Sequence, residues 1–322
     1  MKKSIALVAL AFGVTSAFAQ DLTSKKGEPI LPEAGDWGLA VDATPFLNYA
    51  GNFFGKTANN TAPTWNFLTS VQTITGRYFK DAKNVYRGSV RIGFGSNTTR
   101  EQAANRMLTA NSASANGFPT AVTQVENTWK RSNTDIGLAG GIEMRKGKTR
   151  LQGYYGGEAG IYVSMQKDKY TYGNTLAVNL TPTGPAQNQN VTVTGADQVG
   201  GSGNVVSAVG IFQGAAAGDQ ARMTERKFGT VFSFGVRGFI GAEYFVLPKM
   251  SLGGEFGWGV GLSSTGKSKT SYEATGNNGG SATDAIGTTE IEGSKNGGFS
   301  LDTDGNNSIW GPTGSLRLNF YF

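Results

Sequence analysis

The sequence predicts an all-β fold, a transmembrane antiparallel up-and-down β-barrel of eight strands with short periplasmic turns and long extracellular loops. Eight segments alternate apolar and polar residues with the two-residue period of a β-strand. Each is long enough to cross a membrane when tilted, which takes about 9–11 residues. Short and long connections alternate between the segments. The composition agrees, because the chain has 48 glycines, 19 phenylalanines and 11 tyrosines but no histidine.

The N-terminal residues have the features of a secretory signal peptide. Lys2 and Lys3 precede an apolar run at 5–14 and the small-residue cleavage site 17–19. We therefore expect three parts: a signal peptide at 1–19, a short periplasmic segment at 20–35 and the barrel at 36–322. The chain has no cysteine, which excludes disulfides, thiolate metal sites and a lipoprotein anchor.

The boundaries of the eight predicted strands follow from the alternation. The strands are 36–49, 67–79, 85–96, 134–145, 150–165, 228–246, 250–262 and 309–322. The connections at 80–84, 146–149 and 247–249 are tight, as periplasmic turns are. The other connections are polar and predicted as outer loops: 50–66, 97–133, 166–227 and 263–308. Within the third loop, the run at 190–194 could extend strands above the membrane.

Alternation gives each predicted strand an apolar face and a charged face. In the third strand, Tyr86, Val90 and Phe94 share one face, whereas Arg87 and Arg91 share the other. Five acids and six arginines are predicted to face inward: Asp42, Glu143, Glu158, Glu243, Glu255, Arg77, Arg87, Arg91, Arg145, Arg237 and Arg317.

These inward charges predict a closed, salt-bridged interior with little or no pore. Arginine suits enclosed ion pairs because its planar fork binds a carboxylate through two hydrogen bonds. Eight strands enclose a space that side chains can just fill, whereas a porin has about sixteen strands. The chain offers further strands only if its long loops supply them.

The C-terminal residues carry a pattern typical of outer-membrane proteins. Leu316, Leu318, Phe320 and the terminal Phe322 place an apolar residue at every second position, which resembles the signal read by the barrel-assembly machinery. With the signal peptide, eight strands and charged interior, the chain resembles the small-barrel class typified by outer membrane proteins A and X. The resemblance is one of architecture, in a glycine-rich and asparagine-rich style like that of Bacteroidota barrels. We expect longer loops than the compact members have, and no peptidoglycan-binding domain.

The resemblance implies a location in the outer membrane of a Gram-negative bacterium, in contact with lipid and lipopolysaccharide. A surface ligand or another outer-membrane protein is a further partner that it allows. Three basic residues next to the sixth strand could bind the phosphates of lipopolysaccharide: Arg222, Arg226 and Lys227. The other interpretation is that they are solvated basic residues of a loop. Nucleic acid is not expected, because removing Lys2 and Lys3 leaves 27 basic against 23 acidic residues, a net charge of +4.

Catalysis is not expected from this composition. Barrel enzymes that resemble serine lipases, lipid A deacylases or aspartate–histidine proteases need a histidine base, and the chain has none. Carboxylates can also act as bases, but arginine partners would make the inward glutamates poor ones. No cofactor is expected.

A metal site is not expected either, although residues 302–307 offer a run of oxygen ligands. The run weakly resembles a calcium-binding loop through Asp302, Asp304 and Asn306. It lacks the third acid, the correctly placed glycine and the closing glutamate of such a loop. A polar turn before the last strand explains the same residues, because turns favour Asp, Asn and Gly.

Three functions follow as hypotheses. The first is a non-enzymatic outer-membrane barrel with a closed interior that serves membrane integrity, or surface binding and adhesion, through its long loops. The second is a narrow pore for small solutes, which requires a continuous water path past the arginines and glutamates. The third, less favoured, is a lipid-modifying enzyme that would lose activity when Glu143 or Glu243 is changed.

Overall fold

The protein is all-β in a computed structural model that describes residues 22–42, 44–55, 74–106, 123–178, 191–277, 284–302 and 314–322. Within these residues, thirteen strands join in one antiparallel sheet, accompanied by one α-helix and a short 3₁₀ turn at Gly195–Asp197. No helix among these residues is long and apolar enough to cross a membrane.

The elements follow one another in chain order. They are β1 (Trp37–Asp42), α1 (Thr44–Phe54), β2 (Ile74–Phe79), β3 (Asn84–Ala104), β4 (Gln124–Lys146), β5 (Leu151–Thr171), β6 (Val205–Ser207), β7 (Gln220–Lys227), β8 (Val231–Leu247), β9 (Met250–Thr265), β10 (Lys269–Asn277), β11 (Asp284–Glu292), β12 (Asn296–Asp302) and β13 (Gly314–Tyr321).

Eight of the strands close into an antiparallel ring. Going around it, the order is β1, β2, β3, β4, β5, β8, β9 and β13. β13 then pairs with β1, from Gly38 opposite Tyr321 to Asp42 opposite Arg317, which completes the circle. This confirms the prediction of an all-β fold with eight antiparallel strands arranged around a ring.

One end of the ring, which we call the turn end, carries the short connections. Residues 80–83, 147–150 and 248–249 join successive ring strands there. In the first of these turns the Asp81 carboxylate accepts hydrogen bonds from the backbone N–H groups of Lys83 (2.7 Å) and Asn84 (2.9 Å). Hydrogen bonding from the Asn84 side chain, ahead of those backbone bonds, lowers the pKa of Asp81. The turn is thereby held by its own side chain.

The N-terminal segment packs across the turn end. Ile30 is buried against Phe79, Val85, Phe245 and Tyr321, which form the apolar cluster that fills this end of the ring. The backbone carbonyl of Ile30 also accepts a hydrogen bond of 3.0 Å from the N–H of the turn residue at 249. Part of the segment predicted at 20–35 therefore caps the ring.

The first predicted strand, 36–49, is wrong beyond Asp42, because the chain continues as helix α1. The apolar residues of this stretch recur at Phe46, Ala50 and Phe53, a helical spacing. Pro45 stands in the first turn, where its fixed φ and missing N–H favour a helix start. Proline is disfavoured inside a strand for the same reasons.

The predicted outer loops are also wrong in part, because long stretches of them are strands. β3 and β4 remain paired beyond the predicted limits, up to Ala104 opposite Gln124. β7 joins the extended end of β5, and β10 and β11 add to it in turn. We call the resulting six-stranded extension, β3–β4–β5–β7–β10–β11, the outer sheet.

The remaining outer strands are short, and some predictions lie outside the described residues. β6 pairs with β7, and β12 pairs with β9 beyond the point where β13 leaves it. Of the run predicted at 190–194, the described residues 191–194 contribute only a bridge between Val191 and Ala177. The predicted signal peptide and the predicted strand residues 67–73 and 309–313 are outside the described part.

Adjacent glycines of β5 test how tightly the ring is packed. A methyl group on the inward Gly156 would lie 2.7 Å from the Phe239 ring, whereas one on the outward Gly157 would approach nothing closer than 3.6 Å. We expect Gly156→Ala to destabilise the protein by about 1–3 kcal/mol and Gly157→Ala to have little effect. Denaturant unfolding midpoints would measure both; equal shifts would contradict the packing.

Candidate functional site

A cluster of ion pairs fills the ring, and it brings together nine of the eleven residues predicted to face inward. We call it the inner charge network: Arg77, Arg87, Arg145, Arg237, Arg317, Glu143, Glu158, Glu243 and Glu255. Strand alternation aims these side chains inward from β2, β3, β4, β5, β8, β9 and β13. All but Arg317, which is 12% exposed, are at most 5% exposed at the side chain.

Two glutamates bind the arginines nearer the turn end. Glu143 lies 3.1 Å from the Nε of Arg77 and 3.0 Å from Arg145. Glu243 lies 3.6 Å from Arg77 and also pairs with Arg145. Each charge therefore faces two opposite charges, which compensates for part of the cost of removing it from water.

The other two glutamates bind the arginines farther from the turn end. Glu255 contacts Arg87 at 2.7 Å, Arg237 at 3.0 Å and Arg317 at 3.2 Å. Arg87 meets Glu255 through both Nη atoms, the bidentate geometry that arginine favours. Glu158 joins Arg87 (3.1 Å) to Arg237 (2.8 Å). Arg87 also lies 3.9 Å from Glu143, which links the two halves of the network.

Neutral side chains complete the hydrogen bonding of Glu243. Its Oε2 accepts bonds from the Ser251 hydroxyl (2.9 Å), the Asn319 amide (3.1 Å) and the Tyr321 hydroxyl (2.8 Å). All three have inward parity on β9 and β13, but they are uncharged and were not among the predicted inward charges.

Aromatic rings pack against the arginines of the network. The guanidinium carbon of Arg87 lies 4.3 Å from the centre of the Phe239 ring, and that of Arg77 lies 5.2 Å from the Tyr154 ring. Such cation–π contacts add attraction where water is excluded. The interior is therefore filled by side chains and not merely lined by them.

Two of the predicted inward residues lie apart from the network. Arg91 has no carboxylate within 4.0 Å among the described residues, and its guanidinium carbon lies 5.8 Å from the centre of the Tyr162 ring. Tyr162 donates a 2.6 Å hydrogen bond to Asp135, an inward acid that the sequence analysis missed. The side chain of Asp42 lies outside the described residues.

The space beside the network is small. A cavity of about 30 Å³ lies among Arg87, Arg91, Glu158, Tyr162 and Arg237. That volume holds one or two water molecules, whereas sites for small organic ligands have several hundred Å³. This cavity is therefore too small for an organic substrate.

The opposite face of every ring strand is apolar and exposed. We call its large exposed side chains the apolar belt, and each ring strand contributes at least two of them. One example from each strand, in ring order, is Leu39, Ile74, Val90, Leu138, Ile161, Val236, Phe256 and Leu316. The ring is therefore polar inside and apolar outside, the reverse of a domain that folds in water.

A second buried polar cluster secures the connection between β5 and β7 to the outer sheet. Asp197 is fully buried and accepts hydrogen bonds from Arg106 (2.6 Å) and Arg222 (3.0 Å). Asn204, also fully buried, donates to the Tyr172 hydroxyl and to the carbonyl of Asp197, both at 2.9 Å. Burial raises the pKa of Tyr172 above its ordinary value.

The Asp197 cluster was not predicted from the sequence. Its local signal was the pair Thr194 and Asp197, whose spacing forms a capping box around the 3₁₀ turn. The same cluster corrects the prediction for Arg222. That residue is 2% exposed and is held by Glu273 at 2.7 Å as well as by Asp197, which leaves no surface for a lipid phosphate.

The other predicted sites have less structural context. Arg226 and Lys227 are exposed at the end of β7. Of the predicted assembly residues on β13 and at the terminus, Leu316, Phe320 and Phe322 are exposed and Leu318 is partly buried, all on the outward face. Asp304 and Asn306 lie outside the described residues, as does the side chain of Asp302. In the described part, no group of three or more acidic residues is placed to hold a metal ion.

Comparison with family models, curated proteins and solved structures found no match to this chain.

Removing one carboxylate from the inner charge network tests its contribution to stability. Glu243→Ala would leave Arg77 and Arg145 buried with Glu143 alone, and we expect a loss of about 3–5 kcal/mol in the free energy of unfolding. Glu225→Ala is the control, because Glu225 is 27% exposed and binds surface lysines; about 1 kcal/mol or less is expected there. Similar losses for both variants would contradict a buried network.

Proposed function

We propose that this chain is a transmembrane β-barrel of a bacterial outer membrane, closed inside by ion pairs, that holds a stiff sheet above the membrane for surface recognition or adhesion. The observation that carries the proposal is the apolar belt, which surrounds a ring whose interior is charged. Exposed apolar patches on soluble monomers are usually limited to a few hundred Å². A belt on all eight strands requires an apolar surrounding.

The height of the belt fits the hydrocarbon layer of an outer membrane. On β5 it extends from Tyr155 to Met165, which corresponds to about 26 Å for a rise of about 3.4 Å per residue and a tilt of about 40°. Outer-membrane barrels have an apolar band about 25 Å tall. The signal-peptide features of residues 1–19 and the alternating C-terminus support export and barrel assembly.

The orientation follows from the connections. Barrels of this class have short turns on the periplasmic side and long segments on the cell surface. The turn end would therefore face the periplasm, and the outer sheet would project outside the cell. Contact with membrane lipid follows from the belt itself.

A closed barrel with a surface role is supported over the two alternatives. The inner charge network and its aromatic neighbours leave a cavity of about 30 Å³, which argues against a pore. Its glutamates are each held by two or more arginines, which argues against a base for lipid chemistry. By contrast, the fully buried Asp197 ties the segment around it to Arg222 of the outer sheet, as a binding surface of fixed shape requires.

The same substitution at two depths of β4 tests the membrane assignment. Leu138 lies in the belt, whereas Ser132 lies on the same face nearer the outer sheet. We expect Leu138→Arg to weaken folding into lipid vesicles by about 2–4 kcal/mol and Ser132→Arg by about 0–1 kcal/mol. Folded fractions in vesicles and in water would be compared. A folded, water-soluble Leu138→Arg protein would overturn the proposal.

A further inference from the structure

A row of lysines crosses three neighbouring strands of the outer sheet. Lys167 of β5 lies directly opposite Lys227 of β7, which lies directly opposite Lys269 of β10. One step farther out, Lys130 of β4 lies opposite Lys169 of β5. We call these five residues the lysine patch.

The lysine patch is on the same face as the apolar belt. Pairing between β4 and β5 is continuous from Thr128 to Lys146, so residues of equal parity keep the same side throughout. Lys167 and Lys169 therefore continue the face of Ile161 and Met165. Lys167 is two positions along the strand from the exposed Met165, a distance of about 7 Å.

Direct cross-strand pairing of lysines opposes folding, because like charges opposite each other in a sheet repel. Three acids relieve part of this repulsion. Glu225 binds Lys167 (2.7 Å) and Lys227 (3.1 Å), and a hydrogen bond from Lys167, more than the one from Lys227, lowers its pKa. Lys269 binds Glu290 (2.8 Å) and Glu292 (3.3 Å).

Positive charge remains after these pairs are counted. Five lysines face three glutamates, and one of these, Glu292, also binds Lys267. Within the described residues, Lys130 and Lys169 have no carboxylate within 4.0 Å. The side chains of Lys167, Lys227 and Lys269 are 45%, 56% and 46% exposed, so their ammonium groups can reach a ligand.

We propose that the lysine patch binds the phosphate groups of lipids in the outer leaflet, such as the phosphorylated lipid A of lipopolysaccharide. The inference rests on the proposed membrane location, which puts the patch at the height of the headgroups. An ammonium on a flexible stem suits a headgroup phosphate just above the acyl chains. Of the three residues that the sequence suggested for this contact, only Lys227 belongs to the patch.

The test measures binding of diphosphoryl lipid A to the purified, refolded protein in mixed micelles by native mass spectrometry. The triple variant Lys167→Gln, Lys227→Gln, Lys269→Gln should bind at least about tenfold more weakly than the unaltered protein. The matched control is Lys80→Gln, Lys83→Gln, Lys148→Gln, the same charge change at the turn end, and it should bind as the unaltered protein does.

A further variant keeps the proposal testable if the triple variant does not fold. Glu225→Gln removes a carboxylate from the patch and should tighten binding of lipid A. Equal weakening by the two triple variants, or unchanged affinity in the patch variant, would overturn the proposal. So would weaker binding by Glu225→Gln.

Insertion into phosphatidylcholine vesicles separates this inference from the proposed function. Failure of the unaltered protein to insert there would contradict the membrane location itself. If the protein inserts normally but the patch variant binds lipid A as tightly as the unaltered protein does, only the lysine proposal is contradicted.

Discussion

The narrow interior of an eight-stranded ring, filled by buried arginines and glutamates, is the constraint on which the rest of the structure depends. Glycines beside the charges make the space. A methyl group on Gly141, Gly253 or Gly257 would collide with Glu158, Glu243 or Arg237 respectively. Because the charges occupy the inner face of seven of the eight ring strands, strand alternation leaves the apolar residues on the outer face. The apolar belt, and with it the proposed membrane location, is the consequence of that interior.

The same kind of interaction recurs outside the ring. Asp197 binds Arg106 and Arg222 much as Glu255 binds Arg87 and Arg237, in each case with the carboxylate removed from solvent. Breaking a buried pair leaves an uncompensated charge, so each cluster holds its segments in one arrangement. β3, β4 and β5 run without interruption from the first cluster to the second. They make the outer sheet a continuation of the ring and not a set of separate loops.

The inner face of the ring could be predicted because a single period governs it. Arg87, Glu143 and Arg237 were assigned inward from alternation alone, and the structure brings them into one network.

The outer sheet could not be predicted in this way. Beyond Ser96 most side chains on both faces of β3 are exposed, although Ala103 is buried, so the apolar alternation disappears while pairing with β4 continues. The two arginine partners of Asp197 are distant in sequence, and local pattern gives no sign of them. Helix α1 was not predicted, because the apolar residues at 46–54 fit in part both the two-residue period of a strand and the period of a helix. The preference of Pro45 for the first turn of a helix was not considered.

Planar-bilayer conductance of the refolded protein tests the central claim most directly. We expect no steady current through the unaltered protein. We expect a steady current through the double variant Arg87→Ala, Glu255→Ala, because Arg87 contacts three glutamates and Glu255 contacts three arginines at the middle of the network. Steady conductance in the unaltered protein would contradict a closed interior and would support the narrow pore.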